Sequence, residues 1–331
     1  MKCRFVVPKY QRSFSWSDSE INDFWSDIEA CYLDSIQNQE SSHFFGGIVC
    51  VKHSIEATSM SEYELIDGQQ RMASFVILVS CLHNWLKEIS EKRPKLKIEA
   101  EAVMDRTKKY LEWSETINRQ KQRGIKLTLT KRDEKFFKKL ISGEDVQEES
   151  KARESNKRLW AADSLLSKKI REQEKGKGSN VLKRIDKLIE VLDTRCKVLL
   201  METENKNDAY KLFQVLNDRG MSLTEGDLLR ATTLEFFDNP KYTKEQEEIE
   251  EAWDSILKDT PKDTQDYLDW YFASYIGRAA KRSQRFDDYV DQFFAIKNIK
   301  KITSDEAKKI RAQVKDLDIQ VDTLRKLCDG I

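Results

Sequence analysis

The sequence predicts a mostly helical α/β (α+β) protein: a small mixed sheet with inserted helices, followed by a C-terminal helical region. Three observations predict it. Only 4 Pro and 11 Gly interrupt 331 residues, and breakers this sparse fit long helices. Charged residues make up 35% and apolar residues 39%, a balance that suits helices with one wet and one dry face. Short apolar runs of strand character lie near residues 5–7, 45–51, 63–66 and 196–202, and they bracket the helical patterns between them.

In chain order, residues 4–7 read as a strand running into Pro8. Ser17-Asp18-Ser19-Glu20 is a capping box, and the helix it opens carries Ile21, Phe24, Trp25, Ile28, Cys31 and Tyr32 on one face. Residues 44–52 read as a buried strand in which Gly46 and Gly47 allow close backbone approach. A strand at 63–66 is followed by a turn and a helix to about residue 90, with Met72, Phe75, Val76, Val79, Leu82, Leu86 and Ile89 at steps of three and four. Residues 91–124 are charged and irregularly apolar, helical around 103–113, and 125–130 alternates like a strand. A short helix holds Phe136, Phe137 and Leu140, and 142–152 is polar enough to be a loop. Helices at 153–172 and 180–193 flank a Gly-rich connector at 175–179, and a strand spans 195–203. Residues 207–216 read as a helix and 217–220 as a turn, with Ser222–Glu225 and Thr224–Asp227 as capping pairs for the next helix. After Pro240 the pattern is helical at 243–258, 263–279, 284–296 and 304–328. The expected organisation is a core from 1–92 and 195–238, a mainly helical insertion at 93–194, and a helical domain at 239–331.

Lys plus Arg and Asp plus Glu are 58 each. No whole-protein basic field exists, so DNA would have to be met by a local patch or by a partner. The basic clusters Lys131, Arg132, Lys138, Lys139 and Lys151, Arg153, Lys157, Arg158 are interleaved with acids and read first as solvated helix faces. The six cysteines form no Cys-x-x-Cys, and Cys31, Cys50, Cys81 and Cys196 sit inside apolar patterns as small core residues. His43 and His83 have no Cys or His at metal spacing, which argues against zinc. No signal peptide and no apolar run near 18 residues appears, so a cytoplasmic protein without a membrane partner is expected, and a homo-oligomer stays open.

The most informative segment is Ile66-Asp67-Gly68-Gln69-Gln70-Arg71, at the passage from strand to helix. Gly68 lets the backbone approach a ligand. The first-turn N–H groups of the helix favour an anion, and Arg71 adds a forked permanent charge suited to phosphate. An ordinary polar corner is the competing reading. Gln69 or Gln70 could orient a water, and Asp67 could hold Mg²⁺ or simply cap the helix. Tyr10, Phe14 and Trp16 alternate as a row able to stack on a base, although Phe14 and Trp16 suit a core equally well. Arg219 could complete a phosphate site beside Asn217, which with Gly220 also fits a helix stop.

Three further segments accompany this one in order: Pro8-Lys9-Tyr10-Gln11-Arg12-Ser13-Phe14-Ser15-Trp16, then His43-Phe44-Phe45-Gly46-Gly47-Ile48-Val49, then Leu216-Asn217-Asp218-Arg219-Gly220. Together, over residues 4 to about 235, they resemble the N-terminal domain family of the GmrSD type IV restriction endonucleases. The resemblance implies a ParB/sulfiredoxin-like core in bacterial phage defence, with a nucleoside triphosphate bound and hydrolysed at the Asp-Gly-Gln-Gln-Arg turn. On it, Arg12, Asp67, Gln70 and Arg71 become catalytic candidates, and Tyr10, Gln11, Gly68, Gln69, Asn217 and Arg219 nucleotide-binding ones. Arg12 and Arg71 would then share one polyphosphate. The chain departs from the family in Arg71-Met72-Ala73-Ser74-Phe75, where one of two expected hydroxyls is missing. All three histidines lie in the first quarter, so a His-Asn-His nuclease would have to come from further residues or a second chain. The competing functions are a non-hydrolysing nucleotide- or DNA-binding module, and a nuclease acting through the core itself.

Overall fold

The structure is a computed structural model that describes residues 3–9, 11–55, 60–117, 120–172, 181–205, 208, 209, 212, 225–237, 240–279, 285–295, 303–328 and 330. Its contacts divide the chain into two units: residues 1–8 with 13–213, and residues 9–12 with 214–331.

The first unit contains a mixed five-stranded sheet in the order β6-β1-β3-β2-β7. Its strands are β1 (Cys3–Val6), β2 (His43–Ser54), β3 (Ser61–Asp67), β6 (Leu127–Thr128) and β7 (Cys196–Thr203). β1 and β3 run parallel with Phe5 opposite Tyr63, whereas β2 and β3 are antiparallel with Cys50 opposite Leu65. β7 joins β2 in parallel, Ile48 facing Leu200, so the segments near 63–66 and 196–202 do share one sheet through β2. β2 is apolar on both faces over Ile48–Val51, whereas β3 alternates Glu62 and Glu64 with Tyr63 and Leu65 before Ile66. Ile48, Cys50, Tyr63 and Leu65 enter the large core, and Val49, Val51 and Ile66 are equally buried by alternation. Burial on both faces is what the unbroken apolar run of β2 encodes.

Helices α1 (Asp18–Ile36), α2 (Gln69–Lys92), α3 (Lys97–Leu111), α4 (Lys131–Ile141), α6 (Glu154–Glu172) and α7 (Val181–Thr194) pack into that same core; α5 (Gln147–Ser150) is a single turn. α2 lies at the centre of this layer. Ile77, Leu78, Val79, Leu82 and Leu86 are each almost fully buried, on more than one side of the helix, so its dry surface is wider than the stripe read from sequence. The capping box is present: the Glu20 carboxylate accepts from Ser17 N–H at 2.7 Å, and the Ser17 hydroxyl caps the first turn. Burial pushes the thiols of Cys50 and Cys196 up to about 12, as expected of inert core cysteines.

The second unit contains α8 (Glu225–Glu235), α9 (Thr243–Ile256), α10 (Pro261–Ile276), α11 (Arg285–Asp288), which runs into a π-helical turn Tyr289–Phe294, and α12 (Ser304–Cys328). Its core is aromatic: Phe237, Trp253, Phe272, Tyr289 and Phe293 are nearly or fully buried, and Phe272 stacks on Tyr289 with centroids 3.8 Å apart. Trp253 Nε1 donates to Thr233 Oγ1 at 2.8 Å, which removes the cost of burying the indole N–H.

Several expectations are corrected. The irregular stretch within 91–124 contains a hairpin, β4 (Glu112–Ile117) with β5 (Gln120–Ile125), where no strand was expected. Trp113, Ile117 and Ile125 are the only large apolar residues of its two strands, too few for an alternating signal. The strand expected at 125–130 shrinks to two residues, and the helix expected over 284–296 breaks into two short elements. The connector at 175–179, most of the helix at 207–216 and the capping pairs from Ser222 and Thr224 lie outside the described residues. Among the described residues, no helix is long and apolar enough to cross a membrane.

Ser17→Ala is expected to cost about 1 kcal/mol, the usual worth of an N-cap hydroxyl. The Ser17 hydroxyl holds the Glu20 carboxyl below its ordinary value of 4.5. A depressed acid contributes stability above its unfolded value and loses it as pH falls through the folded one. The wild-type advantage in chemical denaturation should therefore shrink in acid. An advantage that stays constant through the carboxylate range would show that Glu20 takes no part in the cap.

Candidate functional site

Asp67 ends β3, and Gly68 turns the chain into α2 with φ +91. That left-handed conformation is strained for any side chain, and a Cβ here would lie 3.0 Å from Ile48 Cγ1 and 3.3 Å from Gly47 O. α2 has no side-chain cap. Asp67 does not fill that place; its carboxylate accepts instead from Arg71 Nη2 at 3.2 Å, one helical turn on. The first-turn N–H groups of α2 are thus left without an internal acceptor, and Met72 N–H makes the first bond back, to Gly68 O at 2.9 Å.

Arg71 is turned towards β2. Its Nη1 donates to Phe45 O at 3.3 Å and to Gly47 O. These carbonyls flank a bulge where the β2–β7 register shifts between Phe44 and Gly47 and where Gly46 takes φ +91. A Cβ on Gly46 would sit 2.7 Å from Arg71 Nη1. The close approach that Gly46 foretold is therefore that of the Arg71 guanidinium, whereas a Cβ on Gly47 would meet Met201 Cε at 2.8 Å. Arg71 and Asp67 remain about 30% exposed at the side chain (30% and 29%), so the corner is open to solvent on one side.

Gln70 is buried, and its amide binds backbone of the Pro8–Trp16 segment: Oε1 accepts from Ser15 N–H at 2.9 Å and Nε2 donates to Ser13 O at 3.3 Å. Gln69 is half-buried in the same first turn. Phe14 is buried in the large core and Trp16 packs against it, with its ring 6.0 Å from Phe24. Both take the core alternative over the stacking row. Ser74, the hydroxyl that this chain keeps, is fully buried, and its Oγ has no hydrogen-bond partner among the described residues.

The structure thus brings Asp67, Gly68, Gln69, Gln70 and Arg71 together with the β2 bulge and with Ser13–Ser15, all in the first unit. Gln11, which is buried, and Arg12, which is exposed, belong to the second unit. Tyr10, Asn217 and Arg219 lie outside the described residues. Among the described residues, no group of three or more His, Cys, Asp or Glu could hold a metal by itself. Asp67 can supply one hard carboxylate oxygen, which is what Mg²⁺ takes from a protein when phosphates and water provide the rest. The basic clusters are largely neutralised: Lys139 pairs with Glu149 at 2.5 Å, Lys151 with Glu148 at 2.8 Å and Lys157 with Glu154 at 3.1 Å.

Sequence reasoning missed two partners of the N-terminal motif, Asp133 and Arg158. Asp133 Oδ2 accepts from Phe14 N–H at 2.9 Å, and Arg158 Nη1 donates to Ser15 O at 2.6 Å. The available signal for Asp133 was its place three, four and seven residues before Phe136, Phe137 and Leu140, on the apolar side of that helix; for Arg158 there was none.

Among protein families, the model of the GmrSD restriction endonuclease N-terminal domain matches residues 1–234. No curated protein matches the chain.

Gly46→Ala should destabilise the first unit by roughly 1–3 kcal/mol through backbone strain and displacement of Arg71. In an Arg71→Ala background the same change should cost less, because the crowding partner is gone and only the strain remains. Additive losses in a double-mutant cycle would mean that the guanidinium does not occupy the bulge.

Proposed function

Since the chain belongs to the GmrSD restriction endonuclease N-terminal domain family, we propose that it is the nucleotide-binding, and NTP-hydrolysing, regulatory domain of a restriction or phage-defence nuclease. The observation that carries this reading is the uncapped start of α2, where a left-handed Gly68 and a fixed Arg71 leave N–H donors and positive charge on one half-open corner. Such a corner has the chemistry of a phosphate site. Membership makes the domain part of a restriction system; which nucleotide, if any, it turns over belongs to the proposal, as does a cytoplasmic location.

In this mechanism the first turn of α2 cradles a terminal phosphate, and Arg71 stabilises charge that develops on its oxygens. Asp67 would hold Mg²⁺, which when bound with nucleotide neutralises the phosphate oxygens. Gln70 keeps the neighbouring Ser13–Ser15 backbone in place. Its amide is committed, so Gln69, half-buried and one residue earlier, becomes the better candidate to orient the attacking water. DNA would be met through a partner nuclease, and pairing with a second copy is compatible with this role.

A second reading has one observation in its favour. Arg71 and Gln70 are both tied to backbone, an arrangement that also suits a switch responding to occupancy without turnover.

Phosphate release with MgGTP and MgATP separates the two. Under hydrolysis, Gln69→Ala should lower kcat by a factor of about 100 or more, typical for loss of a water-positioning group, with an unchanged melting temperature. Arg71→Ala should abolish release while the fold persists. Normal release by Arg71→Ala removes this corner as the site. Nucleotide binding without release selects the switch.

A further inference from the structure

Ser13–Ser15 belongs to no helix or strand, yet its backbone is held by side chains almost group by group. Gln70 takes Ser13 O and Ser15 N–H, Asp133 takes Phe14 N–H, and Arg158 takes Ser15 O. These three side chains come from α2, α4 and α6. Asp133 is 1% exposed and has its second oxygen bonded by the Ser155 hydroxyl at 2.7 Å, so it is pinned on the α6 side as well. Gln70 lies in the first turn of α2 and grips the same three residues that the insertion helices grip.

We propose that Asp133 and Arg158 are positioning residues of the α2 corner: the helical insertion fixes Ser13–Ser15, and through Gln70 that segment fixes the first turn of α2. The inference rests on the phosphate-site reading of the corner only for its functional consequence. Three physical points support it. Hydrogen bonds that involve a charged group are stronger than neutral ones. Backbone with no strand neighbour has no other internal partners to replace them. Gln70 also cannot shift without breaking two bonds at once, so displacement of Ser13–Ser15 must reach α2. Movement of α4 or α6, for instance when a partner docks on them, would thereby change the phosphate corner.

Amide hydrogen exchange on the full chain tests the coupling directly. Arg158→Gln and Asp133→Asn should each speed exchange about tenfold at Phe14, Ser15 and the first hydrogen-bonded amides of α2 (Met72–Ser74), the fold-change expected for a lost charge-assisted bond. Exchange in α7 should stay unchanged. Arg158→Lys, which keeps the charge, should restore part of the protection. In parallel, MgGTP and MgATP titrations should show Arg158→Gln weakening nucleotide binding by a similar factor. Unchanged exchange at Met72–Ser74, or an equal rise throughout the first unit, overturns the proposal. If the wild type binds neither nucleotide, the phosphate-site reading falls, and the exchange result still decides whether the insertion positions α2.

Discussion

The Arg71 guanidinium seated in the β2 bulge is the interaction on which the candidate site depends. It touches the carbonyls of Phe45 and Gly47 and the Asp67 carboxylate at once. Three local oddities follow from it: a left-handed Gly46, a register shift in the sheet, and a strand end whose acid is drawn away from the helix it precedes. Glycine makes the first of these possible without strain. Together they let a positive charge sit against sheet backbone, with its remaining exposure towards solvent. The helix terminus is consequently left open where a side-chain cap would ordinarily close it.

The second constraint is the management of backbone outside regular structure. Ser13–Ser15 enters the first unit without a strand partner, and unpaired buried amides are costly. Side chains from three helices satisfy it instead. This makes the polar residues Gln70, Asp133 and Arg158 structural in the strict sense, and it ties the N-terminal motif to helices more than fifty positions away in sequence. Burial raises the Asp133 carboxyl above its ordinary range, against the opposing pull of its hydrogen bonds from Ser155 and Phe14. Its place is therefore maintained by the bonds it accepts, despite the desolvation it suffers.

The two roles of Arg71, fixing the bulge and facing solvent beside the uncapped helix, are compatible for a physical reason. A guanidinium has five N–H donors in a rigid plane, and those that reach Phe45, Gly47 and Asp67 leave others free in direction. A lysine ammonium could not divide itself between two carbonyls, a carboxylate and an anion with the same geometry. Commitment to the fold therefore preorganises the charge, which is the condition for electrostatic stabilisation of an incoming phosphate.

The sequence by itself determined the helical class, the strands near 63–66 and 196–202, the Ser17–Glu20 cap and the family. Each rests on a local pattern: a period, a capping pair, or ordered short motifs whose residues need no distant partner to be recognised. It also marked Gly46, Gly47 and Gly68 as places of close approach, because glycine is the residue that such backbone requires. It could not find the Glu112–Ile125 hairpin, whose polar strands carry no alternation. Only the tertiary structure decided which side chain enters the bulge, that Phe14 and Trp16 are core, that Gln70 binds backbone, and that Asp133 and Arg158 hold Ser13–Ser15. The hydrogen bonds among them join residues 24 to 143 positions apart. They are fixed by the register of the sheet and the packing of α2 against its neighbours, and no periodicity along the chain encodes them.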